Sequence, residues 1–139
     1  MQATILLTGA TGRLGQLTAA ALNQKAIPWR AFVRRAEAGA KLAATEVAVG
    51  DFESDNKLLL AMQGISTVIL IAGDDPHQDQ QEINVLNAAK KAGVRRIVKL
   101  SAQSAGLNPP VSFGRKQIIV EKMIQSIGLG WTFLRPAFF

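Results

Sequence analysis

Three glycines at three-residue intervals carry the clearest chemistry in this sequence. The run Thr8-Gly9-Ala10-Thr11-Gly12-Arg13-Leu14-Gly15 follows a short apolar segment, Thr4-Ile5-Leu6-Leu7, and opens a stretch with helical spacing. Strand, glycine turn and helix, in that order, make an anion cradle. Gly9 lets the chain turn tightly, Gly12 leaves the approach clear of a side chain, and Gly15 lets the helix pack close to the sheet. The helix start offers free N–H groups and a partial positive charge. Thr11, Arg13 and Leu14 complete the loop. The expected ligand group is a pyrophosphate; the competing reading is a purely structural turn.

A second set of residues bears on which nucleotide that is. Where a second strand should end, the sequence reads Phe32-Val33-Arg34-Arg35. An acidic residue there would accept from a ribose 2′-hydroxyl. Arg34 instead offers a planar fork to a 2′-phosphate, and Arg13 is a second candidate for the same group. This favours NADP(H), with NAD(H) the alternative; the competing reading makes both arginines exposed charges beside helices. Other candidates follow apolar runs, where ligands bind in parallel sheets. Asp51 with Phe52 either meets an adenine edge or, for Asp51, caps the next helix. Ala72 and Gly73 are small enough to admit a ribose. Ser101 falls where a nicotinamide is expected, and Arg135-Pro136 closes the final run. His77 is either catalytic or a surface histidine.

The elements that must position these residues alternate along the chain. Apolar runs near 4–7, 29–33, 46–49, 67–71, 96–100 and 131–134 read as buried parallel strands. Helical spacing covers Leu14 to Asn23, with Leu14, Leu17 and Ala21 on one face. It recurs at Glu37 to Ala43, and at Ser54 to Met62 with Leu58, Leu59 and Met62 inward. A further helix, capped by Asp75 with Pro76 in its first turn, runs to Ala92 and stops at Gly93. The last, bearing Ile119, Val120, Met123, Ile124 and Ile127, stops at Gly128. Strands alternating with helices predict an α/β fold of the Rossmann type: a doubly wound parallel sheet of about six strands, helices on both faces, order 3-2-1-4-5-6. One domain over 1–139 is expected, without linker or low-complexity segment.

These residues together resemble the short-chain dehydrogenase/reductase superfamily, and most closely its atypical NmrA-like branch of NADPH-dependent quinone, isoflavone and dye reductases. The resemblance spans Thr8 to Phe139. It rests on the glycine loop, Val33-Arg34, Gly50-Asp51-Phe52, Ala92-Gly93-Val94, Leu100-Ser101-Ala102, Glu121, and Ser126-Ile127-Gly128-Leu129 leading to Leu134-Arg135-Pro136. It implies that Gly9, Gly12 and Gly15 hold the pyrophosphate and that Arg34 reads the 2′-phosphate. Asp51 and Phe52 would border adenine, Ala72 and Gly73 the adenosine ribose, and the backbone after Pro136 the nicotinamide carboxamide.

Two departures from the family pattern matter. Tyrosine-dependent members carry a Tyr-x-x-x-Lys pair that here aligns with Phe113 and Gln117, and the chain has no tyrosine at all. That proton relay is therefore excluded. Lys116, one residue off, is either a general acid, a phosphate contact or a surface lysine. A quinone-like acceptor needs no such pair, since it can take its proton from water. Secondly, members of this branch continue well past the equivalent of Phe139 into a carboxyl-terminal substrate lobe. Much of a substrate pocket is thus expected to lie outside this sequence. Phe138 and Phe139 would be exposed, and a homo-oligomer is compatible with that.

Composition narrows the classes. With no cysteine and one histidine among 139 residues, disulfides, thiolate metal sites and multi-histidine sites are excluded. No signal-peptide pattern opens the chain and no apolar run approaches the roughly 18 residues of a membrane span, so a cytoplasmic setting without membrane partner is expected. The net charge of +6 suits an anionic cofactor. Its positive residues form short clusters without an aromatic stripe, so no nucleic-acid partner is expected. The leading reading is an NADPH-dependent reductase of a small quinone-like or unsaturated acceptor. The alternative is a non-catalytic redox sensor acting on a regulated protein partner.

Overall fold

The computed structural model describes residues 2–72, 75–100 and 112–135, with side chains from 116 onward in the last span. Gly73, Ser101, Pro136, Phe138 and Phe139 lie outside the described residues, as does the side chain of Phe113. The elements in chain order are β1 (Ile5–Leu7), α1 (Arg13–Gln24), β2 (Arg30–Val33), α2 (Ala36–Lys41), β3 (Glu46–Val49) and α3 (Asp55–Ala61). They continue with β4 (Thr67–Leu70), α4 (Gln78–Ala92), β5 (Arg96–Leu100), α5 (Ser112–Ser126) and β6 (Gly130–Leu134). The strands form one parallel six-stranded sheet in the order β3-β2-β1-β4-β5-β6. This is the predicted doubly wound Rossmann-type arrangement.

Alternate strand residues supply two cores, one on each face. Leu6, Phe32, Val68, Leu70 and Ile97 pack with α3, α4 and α5. Leu7, Ala31 and Val33 pack with α1, including Ala19 and Leu22, and with fully buried Trp29. The Trp29 indole N–H donates to Asn23 Oδ1 at 2.8 Å, which satisfies its one polar atom.

The sheet reverses its winding between β1 and β4, and Thr8 locks that seam. Its hydroxyl donates to the Ile71 carbonyl at 2.9 Å and accepts from the Ile71 N–H at 3.0 Å. Both groups are buried where the two strands end. Thr8→Val keeps the shape but strands the Ile71 N–H, so it should cost about 1–3 kcal/mol. Urea denaturation of Thr8→Val beside Thr8→Ser, which keeps the hydroxyl, measures this; equal stability of the two would remove the hydroxyl from the account.

Several local expectations are corrected. On α1 the buried face is Gly15, Ala19 and Leu22, not Leu14, Leu17 and Ala21; Leu17 is 63% exposed. The glycine loop dictates this: a Cβ at Gly15 would sit 1.9 Å from the Gly9 carbonyl oxygen, so the small residues must face the loop and sheet. Leu17 then turns outward, while Leu14 stays half-buried against the core. The second helix ends at Lys41 rather than Ala43, because Ala43 adopts φ +56°. Asp75 and Pro76 precede α4 instead of starting it. The Asp75 carboxylate accepts from the His77 N–H at 2.7 Å, closing a turn that leaves His77 at the cap position. On α3, Leu58 and Met62 are buried while Leu59 is half-buried; on α5, Val120 and Ile124 are buried but Ile119 is exposed. Gly93 and Gly128 end their helices as expected, both at positive φ.

Candidate functional site

A cavity of about 910 Å³ runs along the carboxyl edge of the sheet, from the ends of β2 and β3, past the glycine loop, to the ends of β4 and β5. It crosses the winding reversal, the position that parallel sheets reserve for ligands. Gly9, Thr11, Gly12, Arg13, Leu14, Gly15, Arg34, Asp51, Phe52 and Ala72 all line it.

The three glycines are needed for different reasons. Gly9 has φ +66°, and a Cβ there would lie 2.4 Å from the Ile71 carbonyl oxygen. At Gly15 the clash is with the loop backbone itself. Gly12 is unlike both. Its φ of −76° suits any residue, and its nearest obstacle, the Gly9 carbonyl oxygen, is 3.6 Å from an added Cβ. Nothing in the protein's own packing demands glycine at 12; only the space in front of it would use one. Gly12 is also the N-cap of α1, with no side-chain cap and no acidic residue in the first turn. The positive end of the helix therefore faces the cavity without a protein anion to satisfy it. Gln16 steadies the loop by donating from Nε2 to the Thr11 carbonyl at 2.8 Å.

Charge at the β2–β3 end is mostly positive. Arg13, Arg34 and Arg35 line the cavity, and none is engaged in an ion pair or side-chain hydrogen bond among the described residues. Asp51 sits on the rim, where its Oδ1 accepts from the Glu53 N–H at 2.9 Å. The helix cap is Ser54, whose Oγ accepts from the Lys57 N–H, so the capping reading of Asp51 is corrected. Phe32 and Phe52 form the wall beside it, ring centroids 5.9 Å apart and tilted at 45°. Gly50 makes room for them: a Cβ would come within 2.9 Å of the Phe32 ring. This uncapped helix start, cationic end and aromatic wall match the phosphates, the extra phosphate and the base of a pyridine dinucleotide.

Other sequence candidates are not brought to the cavity. Lys116 donates from Nζ to the Pro76 carbonyl, tying α5 to the turn before α4. His77 is exposed and is not a lining residue. Gln117, at the position of the family's lysine, is buried, and its Oε1 has no hydrogen-bond partner among the described residues. Arg135 turns to Glu121, with Nε 3.2 Å from Oε2, and lies over the Phe133 ring. Conversely, sequence reasoning missed Leu17, Phe32, Arg35 and Leu100 as lining residues. Arg35 had a signal, as the neighbour of Arg34. Leu17 had none, since its spacing pointed to the core.

A model of the family described as NAD(P)H-binding matches residues 9–139. The chain belongs to this NAD(P)H-binding family. The domain is 32% identical to NAD(P)H azoreductase of Xenophilus azovorans, over 97% of this chain and 48% of that protein. It is 34% identical to quinone oxidoreductase 2 of Escherichia coli K12, over 97% of this chain and 49% of that protein. The NADPH complex of the NADPH-dependent quinone oxidoreductase from Escherichia coli superposes with a TM-score of 0.86 at 33% identity, covering 97% of this chain and 49% of that one. The NADP(H) complex of Citrobacter sp. triphenylmethane reductase gives 0.86 at 30% identity, covering 98% and 50%. The NAD(P)H-binding domain is thus of the NmrA-like, atypical short-chain dehydrogenase/reductase type. It spans about half the length of the curated relatives it matches. No helix among its described residues is long and apolar enough to cross a membrane.

Proposed function

We propose that residues 1–139 form one nucleotide-binding unit that takes NADPH in preference to NADH and serves hydride transfer from it to a small quinone-like or unsaturated acceptor. The observation that carries this is the trio of unengaged arginines lining the cavity, two of them directly after β2. A 2′-phosphate supplies the charge they lack, and no acidic side chain takes its place. The α1 N-terminus and Gly12 hold the pyrophosphate, Arg34 grips the 2′-phosphate, Phe52 and Asp51 border the base, and Ala72 with Gly73 borders a ribose. Ser101 and Pro136 complete the nicotinamide end. When bound, NADPH supplies a hydride. The chain has no tyrosine to deliver the accompanying proton, which favours an acceptor that draws it from water. Similarity to quinone, azo and dye reductases supports that acceptor class.

The same lack of a tyrosine favours a second reading, a sensor that binds NADPH and signals to a protein partner without turnover. One experiment separates them: preload the protein with NADPH, mix with a benzoquinone, and follow the NADPH absorbance in a single turnover. Loss of absorbance faster than for free NADPH supports the reductase. Tight binding with oxidation no faster than in buffer would leave the sensor.

A further inference from the structure

Among the described residues, the most voluminous fully buried side chain after Trp29 is a charged one, Lys99 on β5. Its Nζ lies 2.5 Å from Glu82 Oε2 and donates to the Leu100 carbonyl at 2.9 Å. Gln78 Nε2 donates to the other carboxylate oxygen, Glu82 Oε1, at 2.8 Å. Both side chains of the ion pair are 1% exposed. Gln78 and Gln81 on α4 and Gln117 and Glu121 on α5 are also buried. With Thr8, Glu82 and Lys99, these are all the buried polar side chains among the described residues.

A pair so enclosed is a poor stabiliser. Both charges lose their water, and apolar residues of similar volume often serve the fold as well. Burial indeed lowers the Lys99 pKa from its ordinary value, opposed chiefly by Glu82 and then by Glu121. What the pair supplies is direction. Leu100 is the last residue of β5 and lines the cavity. The Lys99 ammonium holds its carbonyl, and therefore the peptide plane at which the chain leaves the sheet beside the cavity. Glu82 and Gln78, on the first two turns of α4, hold the ammonium.

We propose that Lys99, set by Glu82 and Gln78, is a positioning residue for the nicotinamide half of the cofactor site, acting through the Leu100 carbonyl. This rests on the reading above that adenosine lies at the β2–β3 end and nicotinamide beyond the end of β5.

The test compares Lys99→Met with the triple variant Gln78→Met, Glu82→Leu, Lys99→Met. The single variant strands a buried carboxylate and should melt lower. The triple variant leaves no orphaned buried charge and should melt near the wild type. Each is titrated with NADPH and with adenosine 2′,5′-bisphosphate, which reaches only the adenosine end. For the triple variant, bisphosphate affinity should stay within about twofold while NADPH affinity falls about tenfold. The fluorescence of its bound NADPH should also move toward that of the free cofactor. Wild-type NADPH affinity in a stable triple variant would make the pair purely structural. Equal losses for both ligands, or failure of the triple variant to fold, would overturn the proposal as well. If the wild type binds NADPH but not the bisphosphate, the placement of adenosine fails first and takes the proposal with it.

Discussion

Gly12→Asp should make this protein more stable and nearly unable to bind NADPH. Gly12 is the N-cap of α1 in extended conformation, and a Cβ there meets nothing closer than 3.6 Å. Aspartate is among the best residues for that position: its carboxylate accepts from the N–H groups of the first turn and faces the positive helix end. The gain should be about 0.5–1 kcal/mol, read as a raised denaturation midpoint. The same carboxylate occupies the space and the N–H groups that the pyrophosphate needs, and it repels it. NADPH affinity should fall at least ~100-fold by calorimetry. Gly15→Ala is the contrast: its methyl would sit 1.9 Å from the Gly9 oxygen, so stability and binding should both be lost. An unchanged NADPH affinity in Gly12→Asp would show that the pyrophosphate does not lie on this helix.

Arg34→Ala should weaken NADPH by about 10–100-fold and leave NADH within about threefold. A charge-assisted, bidentate contact to a phosphate is worth roughly twice a neutral hydrogen bond, and its loss falls only on the cofactor bearing the extra phosphate. Arg34 follows Val33 at the end of β2, and no acid engages it. Arg35 lines the same cavity, so Arg34→Ala/Arg35→Ala is the completing measurement. If the double variant loses far more than the single, the phosphate is shared. Equal losses for NADPH and NADH would move Arg34 to the pyrophosphate and sink the specificity argument.

The strand order and the glycine loop were legible because periodicity and glycine spacing are local signals. β3 and β5 have the bounds their apolar runs predicted. The rotation of α1 was not legible. Leu17 looks like a core residue until the loop backbone is in place; only then does Gly15 become the contact face. Asp51 could not be resolved between rim and cap, because Ser54 competes for the same helix and only geometry decides the winner. Lys99 was invisible as a buried group, since a lysine in an apolar run reads as solvent-facing until its partner Glu82, on another helix, is known.

The order of the sheet also shapes the path by which the cavity appears. Residues 5–49 supply β1, β2 and β3; residues 67–134 supply β4, β5 and β6. Within the sheet the two halves are joined by the pairing of β1 with β4, and there Thr8 bridges to Ile71 across 63 residues of chain. Neither half contains the whole cavity. A nucleotide therefore finds nothing complete to bind until the halves dock, and docking is the step with the greatest loop-closure cost. Added NADPH should leave the refolding rate where it is and slow unfolding in proportion to its saturation. In this molecule the cofactor acts as a brake on falling apart rather than as a template for coming together.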